Sequence, residues 1–267
     1  MKKKTLKETQ SYLFSLLKYS CRTLESNNLN YSLAYGTLIG AARHRGFIPW
    51  DDDIDIVMPW NDYLKMLKLP ELNTPDAKYT VHYSGNTKIN KDEKYDFSFA
   101  KIENNYTKCI FKKSDEGGGA FLDVFPLTPL PLKEQREYAK KIGDLQTNLE
   151  RLIIYKESHI KEFARKCLNP LYRVYRDKLI KESFRYTKGD YDFDELADTW
   201  WGRDVINQSV PKEWFNDYTQ LEFNGEKFKV ISNYKEWLRL GYGDWEKLPP
   251  KEEQVHHHYF DLYDLEH

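Results

Sequence analysis

Cysteine is scarce: Cys21, Cys109 and Cys167 are the three in 267 residues, and they lie far apart. No Cys-x-x-Cys or Cys/His zinc spacing occurs, and an odd number makes no disulfide framework. They read as small buried hydrophobes. No apolar run approaches the ~18–20 residues that span a bilayer, so no membrane-crossing helix is expected. Met1-Lys-Lys-Lys4 resembles the charged start of a signal peptide, but Glu8, Gln10 and Ser11 interrupt the apolar core that should follow. A cytoplasmic protein is therefore expected. An excess of one charge is lacking too. The chain holds 41 Lys/Arg against 42 Asp/Glu, a net charge of −1. That argues against a general nucleic-acid binder, which carries a basic excess. Mean hydropathy is low at −0.78, yet aromatic residues make up 15%. Disordered chains are poor in aromatics, so an ordered chain is expected, with rings at the surface or lining a cleft. A chain of this length buries roughly 70–75% of its extended surface and needs no disulfide or structural metal to fold.

Thr5-Leu-Lys-Glu8 fits a capping box, and Leu6, Leu13, Leu16, Leu17 and Leu24 mark one face of a helix running to about Ser26. Tyr31–Tyr35 reads as a short strand, and Gly36-Thr37 turns the chain into a short helix over Leu38–Arg43. Asp53–Met58 reads as a strand with one polar face at its start, followed by a helix over Asn61–Leu69. Tyr79–Tyr83, Phe97–Glu103, Lys108–Phe111 and Phe121–Phe125 are strand candidates, with Gly117-Gly-Gly119 as a flexible link before the last. Leu132 to about Glu157 carries a helical period. Asn169-Pro170 reads as a cap with Pro at the first helical position. Asn224-Gly225 between alternating runs predicts a hairpin over 220–231, and the tail from Tyr242 to Tyr259 has no period. The order is a mixed α/β first half and a mostly helical second half, with a boundary near Pro126–Pro131.

The most informative stretch is Trp50-Asp-Asp-Asp-Ile-Asp-Ile-Val57. On a strand, side chains alternate faces, so Asp51, Asp53 and Asp55 point one way and Asp52, Ile54 and Ile56 the other. Carboxylates two apart sit ~7 Å from each other and repel unless a cation lies between them. Oxygen-only ligands favour Mg²⁺ or Mn²⁺ over zinc. An acidic turn solvating a loop is one alternative, although Ile54, Ile56 and Val57 would carry the acids inward. A calcium loop through Asp51, Asp53, Asp55 and Asp62 is another, but Ile56 stands where its sharp turn needs Gly. Asp123, inside the apolar Ala120–Phe125, is either a third carboxylate of this group (a ligand or a base) or a solvent-facing strand end.

Gly36-Thr37 lies between strand and helix, where free amides can bind phosphate oxygens. Arg43, His44 and Arg45 either complement the helix dipole or stabilise a transferring phosphoryl group. Lys101 is either a snorkelling strand lysine or a phosphate contact.

The stretch Gly36-Thr-Leu-Ile-Gly-Ala-Ala-Arg-His-Arg-Gly-Phe-Ile-Pro-Trp-Asp-Asp-Asp-Ile-Asp-Ile56 closely resembles the signature of the LicD family of phosphotransferases, related to fukutin-type enzymes. Position 42 departs from the commoner pattern, with Ala for a larger apolar residue. Weaker echoes are Lys101–Thr107, Phe121–Pro126 and Tyr242–Pro250 with His257 and His258; residues 130–215 match nothing familiar. The resemblance implies an α/β (α+β) fold with a nucleotidyltransferase-like mixed-sheet catalytic core over 1–128. Residues 129–267 would form a helical region with the hairpin and a tail returning to the active-site cleft. It implies transfer of phosphocholine, or a related phospho-alcohol, from a CDP-activated donor such as CDP-choline to a hydroxyl of a cell-surface glycan or teichoic acid precursor, releasing CMP. It makes Asp53 and Asp55 the paired metal ligands, Asp123 the third carboxylate and Asp51 an additional ligand, holding two Mg²⁺ or Mn²⁺ ions.

On this footing Gly36, Thr37 and an Arg hold phosphate, and His257 and His258 contact it; the alternative for the two histidines is a surface tract. Choline is recognised by aromatic faces, for which Trp50, Trp60, Trp200, Trp201 and Trp245 are candidates beside their ordinary role in packing. Residues 161–188 hold nine Lys/Arg against three Asp/Glu. They form either a packed helix with a solvated basic face or a peripheral contact with the inner face of a membrane, where a glycan acceptor would be lipid-linked. Two other readings remain: a nucleotidyltransferase acting on a small molecule, and a non-catalytic choline- or carbohydrate-binding module.

Overall fold

The computed structural model describes residues 2–74, 77–83, 98–111, 117–152, 159–188, 193, 195–198, 202, 205, 209–255 and 260–265. Helix α1 (Leu6–Ser26) starts at the expected capping box: the Glu8 N–H donates to Thr5 Oγ1 at 3.3 Å and the Thr5 N–H to Glu8 Oε2 at 2.8 Å. Its face of Leu13, Leu16, Leu17 and Leu24 is fully buried against the sheet.

The main sheet follows the order β1 (Ser32–Leu33), β2 (Asp55–Pro59), β5 (Gly117–Leu130), β4 (Ala100–Phe111) and β10 (Phe260–Asp264). Only β2 and β5 run parallel along this path; the other neighbours are antiparallel. Strand β3 (Tyr79–His82) pairs with the first half of β4, and β10 with the second half. Strands β6 (Glu195–Ala197) and β7 (Val210–Pro211) extend the sheet from the end of β5. The fold is α/β with a mixed sheet, as expected.

Helices α2 (Tyr35–Ile39) and α3 (Trp60–Met66) flank β2, and α2 runs directly into a wider π turn over Gly40–His44. Helices α4 (Gln135–Glu150) and α5 (His159–Ser183) share a small core of their own, with Leu130, Tyr138, Ile142, Leu179, Tyr186 and Val205. The hairpin of β8 (Tyr218–Phe223) and β9 (Glu226–Ile231) packs on the first core through Phe223, Phe228, Val230 and Ile231. Helix α6 (Tyr234–Tyr242) follows it.

Several expectations need correction. Only Ser32–Leu33 is strand, because Tyr35 already opens α2. The runs ending at Glu103 and starting at Lys108 are one strand, bent by a register shift between Asn104 and Cys109. Gly117–Gly119 is no flexible link but the start of β5, paired to β4. Pro170 lies inside α5 rather than at its start. It sits on the exposed face, where water can hydrate the carbonyl that it leaves without a helix partner. The helical expectation over Leu132–Glu157 yields a 3-10 turn (Leu132–Glu134) and α4; residues 153–158, like Phe97, lie outside the described residues. Among the described residues the second half holds strands β6 to β10 as well as helices α4, α5 and α6, and no sequence pattern marks β10.

Candidate active site

The sequence places Asp51, Asp52, Asp53 and Asp55 near the start of β2 and Asp123 in the middle of β5, and backbone pairing decides how Asp55 and Asp123 meet. Asp55 opens β2 and stands beside Asp123 in the parallel register. Asp123 stands opposite Lys101 on β4, and Lys101 opposite His82 on β3. Asp55, Asp123, Lys101 and His82 therefore form one row across four strands, each about 4.8 Å from the next. Asp51, Asp52, Asp55, Lys101 and Asp123 are all buried.

Strand structure begins only at Asp55, so the alternation expected from Asp51 onward does not hold. The three preceding acids lie on an irregular approach to the strand, and Asp52 joins its neighbours instead of pointing away. Carboxylate oxygens of Asp51, Asp52 and Asp53 lie within 4.8 Å of one another. Burial pushes the Asp51 carboxyl up to about 9, and Asp53 and Asp52 add to this. Asp55 is also held well above the usual carboxylate range, first by burial and then by Asp53, Asp123 and Asp51; Lys101 opposes the rise. Mutual repulsion among buried acids is the arrangement that a hard divalent cation would relieve, and the all-oxygen donor set suits Mg²⁺ or Mn²⁺.

Gly36 and Thr37 serve these acids directly. Thr37 Oγ1 accepts from the Asp55 N–H at 2.8 Å. A Cβ on Gly36 would lie 2.8 Å from Asp51 Oδ2, so only glycine lets that carboxylate approach the α2 turn. Tyr35 enters the helix at φ 48°, unusual for a bulky residue. Its hydroxyl donates to Asp198 Oδ2 at 2.6 Å, and its ring packs edge-on against Phe125 and Trp237.

The basic residues have protein partners. Lys101 Nζ donates to Asp123 Oδ1 at 2.8 Å and lies 3.8 Å from the Phe121 ring centroid. Arg43 Nη1 donates to the carbonyls of Trp245 at 2.6 Å and Lys247 at 2.9 Å, tying the tail to the end of the π turn. Its Nε donates to His44 Nε2 at 3.0 Å. Burial and Arg43 lower the His44 pKa, which suits a neutral acceptor ring. Arg45 is exposed, in a left-handed conformation at φ 54°, and its carbonyl accepts from the Asn224 N–H of the hairpin. Trp50 is half-buried against the core, Trp60 stacks on Tyr63 and meets Phe184 at a tilt, and Trp245 also packs on the core. Trp200, Trp201, His257 and His258 lie outside the described residues.

Three neighbours were not assigned to the site from sequence, although Tyr242 and Glu103 lie within the Tyr242–Pro250 and Lys101–Thr107 echoes. Tyr242, 41% exposed at the end of α6, has its phenol pushed up, first by desolvation and then by Asp55, Asp53 and Asp51. Glu103 is buried on the face of Lys101, accepts from the Gly119 N–H at 3.2 Å, and is raised to about 8, chiefly by burial. His82 Nε2 lies 4.0 Å from Glu103 and 2.8 Å from Thr80 Oγ1. The i, i+2 spacing of Lys101 and Glu103 carried a signal for the second; nothing local marked His82.

Residues 28–179 match a family described as LicD/FKTN/FKRP, nucleotidyltransferase domain. The lipopolysaccharide cholinephosphotransferase LicD of Haemophilus influenzae is 31% identical over 275 residues, covering 99% of this chain and all of that protein. An uncharacterized protein of Rickettsia prowazekii is 36% identical over 104 residues, 38% of each chain. One of Rickettsia typhi is 50% identical over 44 residues, 16% of this chain and 14% of its own.

Proposed function

The chain belongs to the LicD/FKTN/FKRP family and is a transferase, and we propose that it moves phosphocholine, or a related phospho-alcohol, from a CDP-activated donor to a glycan hydroxyl. The observation that carries this reading is the convergence of Asp51, Asp53, Asp55 and Asp123 around the Gly36-Thr37 turn. A near relative that is a lipopolysaccharide cholinephosphotransferase supports the choice of group and acceptor. A lipopolysaccharide or teichoic acid precursor, carried on a lipid, fits the acceptor role.

Asp53, Asp55 and Asp123, with Asp51 beside them, would hold two Mg²⁺ or Mn²⁺ ions. Divalent ions bound there would neutralise the donor diphosphate and stabilise the attacking and leaving oxygens of an in-line displacement. The remaining work falls to the protein. Thr37 fixes the Asp55 backbone, and Gly36 leaves room for Asp51. Lys101 orients Asp123 through one carboxylate oxygen. Asp123 takes the proton of the acceptor hydroxyl as that oxygen bonds to the phosphorus bearing the alcohol, and the bond from phosphorus to CMP breaks. His257 and His258 are kept as candidate phosphate contacts. Arg43, held by the tail carbonyls, is assigned instead to bringing residues 242–250 to the cleft.

The same proposal keeps a catalytic core over 1–128 and a region over 129–267 that returns to it. No helix among the described residues is long and apolar enough to cross a membrane. A nucleotide-activated donor sets the reaction on the cytoplasmic side, with peripheral contact at the inner face of the membrane through residues 161–188.

Incubation with CDP-choline, Mn²⁺ and a lipopolysaccharide or teichoic acid preparation tests the reaction. CMP should appear together with choline-labelled glycan, and Asp55→Asn should lower the rate by roughly two orders of magnitude or more with the fold intact. Near-wild-type turnover in that variant, or diphosphate as the product from a nucleoside triphosphate, would overturn the reading.

A further inference from the structure

Charge is unevenly spread along this chain. Nine Lys/Arg against three Asp/Glu give residues 161–188 a charge of +6, so the rest of a chain of net charge −1 carries −7. Helix α5 covers most of that basic stretch. Its inward face, with Leu179, Glu182 and Ser183, is buried beside α4. Glu182 is spent there on ion pairs with Lys141 at 2.8 Å and Arg185 at 2.6 Å.

The outward face is different. Cys167, Pro170, Leu171 and Val174 recur at helical spacing and are all exposed, Leu171 by 46% and Val174 by 47%. One turn on, Lys178 and Lys181 continue the same face, and Arg173 borders it; all three are exposed. Asp177 is the exposed carboxylate among the described residues of α5 from Cys167 onward, and Arg176 pairs with it at 2.9 Å. Apolar side chains turned to solvent beside cations suit an interface that is apolar inside and anionic at its surface. A nucleic acid would use the cations and leave Leu171 and Val174 unexplained.

We propose that the outward face of α5 docks on an anionic lipid bilayer, with Leu171 and Val174 entering the headgroup boundary and Arg173, Lys178 and Lys181 meeting lipid phosphates. This deepens the proposed function, since it rests on an acceptor carried by a lipid. Each cation near an anionic leaflet strengthens binding on the order of fivefold, so the contact is reversible and salt-dependent.

The test is co-sedimentation of the full chain with vesicles of phosphatidylcholine alone or mixed with phosphatidylglycerol, at low and high salt. Binding should require phosphatidylglycerol and weaken with salt. Lys178→Gln with Lys181→Gln should weaken it about 25-fold, and Leu171→Asp with Val174→Asp should abolish it. Both variants alter exposed positions, and circular dichroism checks their fold. Their affinity for CDP-choline without vesicles should equal that of wild type, which separates this proposal from the reading of the active site. Equal binding to both vesicle types, absence of binding, or variants that bind like wild type would overturn it. So would a wild-type dimer without lipid that the same substitutions dissociate.

Discussion

At the scale of single residues, the site is a set of acids whose burial Lys101 offsets at Asp123 and opposes at Asp55, while Asp51 and Asp55 stay raised. Asp51 is raised to about 9 and Asp55 well above its ordinary value, both chiefly by burial. A carboxyl whose pKa is higher in the folded than in the unfolded chain binds its proton more tightly when folded. Its contribution is complete below the unfolded value near 4 and is lost as pH rises toward the folded value. In EDTA, the melting temperature should therefore fall between about pH 5 and pH 9. Saturating Mn²⁺ should flatten or reverse that slope, and a metal-free protein equally stable across the window would contradict the arrangement. Thr37→Val should cost about 1–3 kcal/mol, since it leaves the buried Asp55 amide without its acceptor. Gly36→Ala drives a methyl group against Asp51 Oδ2, so it should weaken Mn²⁺ binding more than it lowers stability; calorimetry on each variant separates the two. The acids themselves were legible in the sequence because the pattern of Asp and Ile over 51–56 is unusual. The partners of the cations were not. Lys101 meets Asp123 through strand pairing 22 residues apart, and Arg43 meets the Trp245 carbonyl across 202.

At the scale of elements, local chemistry was readable wherever it decided the structure. The Thr5–Glu8 box starts α1, and Asn224-Gly225 makes the hairpin turn with φ of 51° and 82°. A Cβ added at Gly225 would meet nothing within 4 Å, so Gly225→Ala tests the backbone alone. It should cost about 1–2 kcal/mol by thermal melting, with no loss of Mn²⁺ affinity. Elements set by distant contacts were not readable. Strand β10 is five residues long and gains its place from β4, with Leu262 buried opposite Cys109. Pro170 reads locally as a start, yet α5 passes through it because both flanking turns join one helix. Tyr35 reads as a strand end, but its hydroxyl bond to Asp198, 163 residues away, accompanies a left-handed backbone at the head of α2. Tyr35→Phe should retain the ring packing and lose that bond, at about 1–3 kcal/mol in stability.

At the scale of the whole molecule, parts of the second half of the chain are bonded to the Arg43–Arg45 segment that precedes the acids. Arg43 fastens the tail, desolvation and then the charges of the acids raise the Tyr242 phenol, and the hairpin is fixed to the Arg45 carbonyl. Helix α5 stands on a second small core with its outward face in solvent. The proposed transfer from a CDP-activated donor to a lipid-borne acceptor would use both parts, the polar centre for the donor and the outward face of α5 for the membrane. In the proposed scheme the donor half rests on the carboxylates, and calorimetric titration of CDP-choline measures it most directly. The titration is run with Mn²⁺ and again with EDTA, on wild type and on Asp55→Asn. Binding that requires the metal and disappears in the variant is the expected result. Binding of equal strength with EDTA, or undiminished in Asp55→Asn, would contradict a metal-clamped donor at this site.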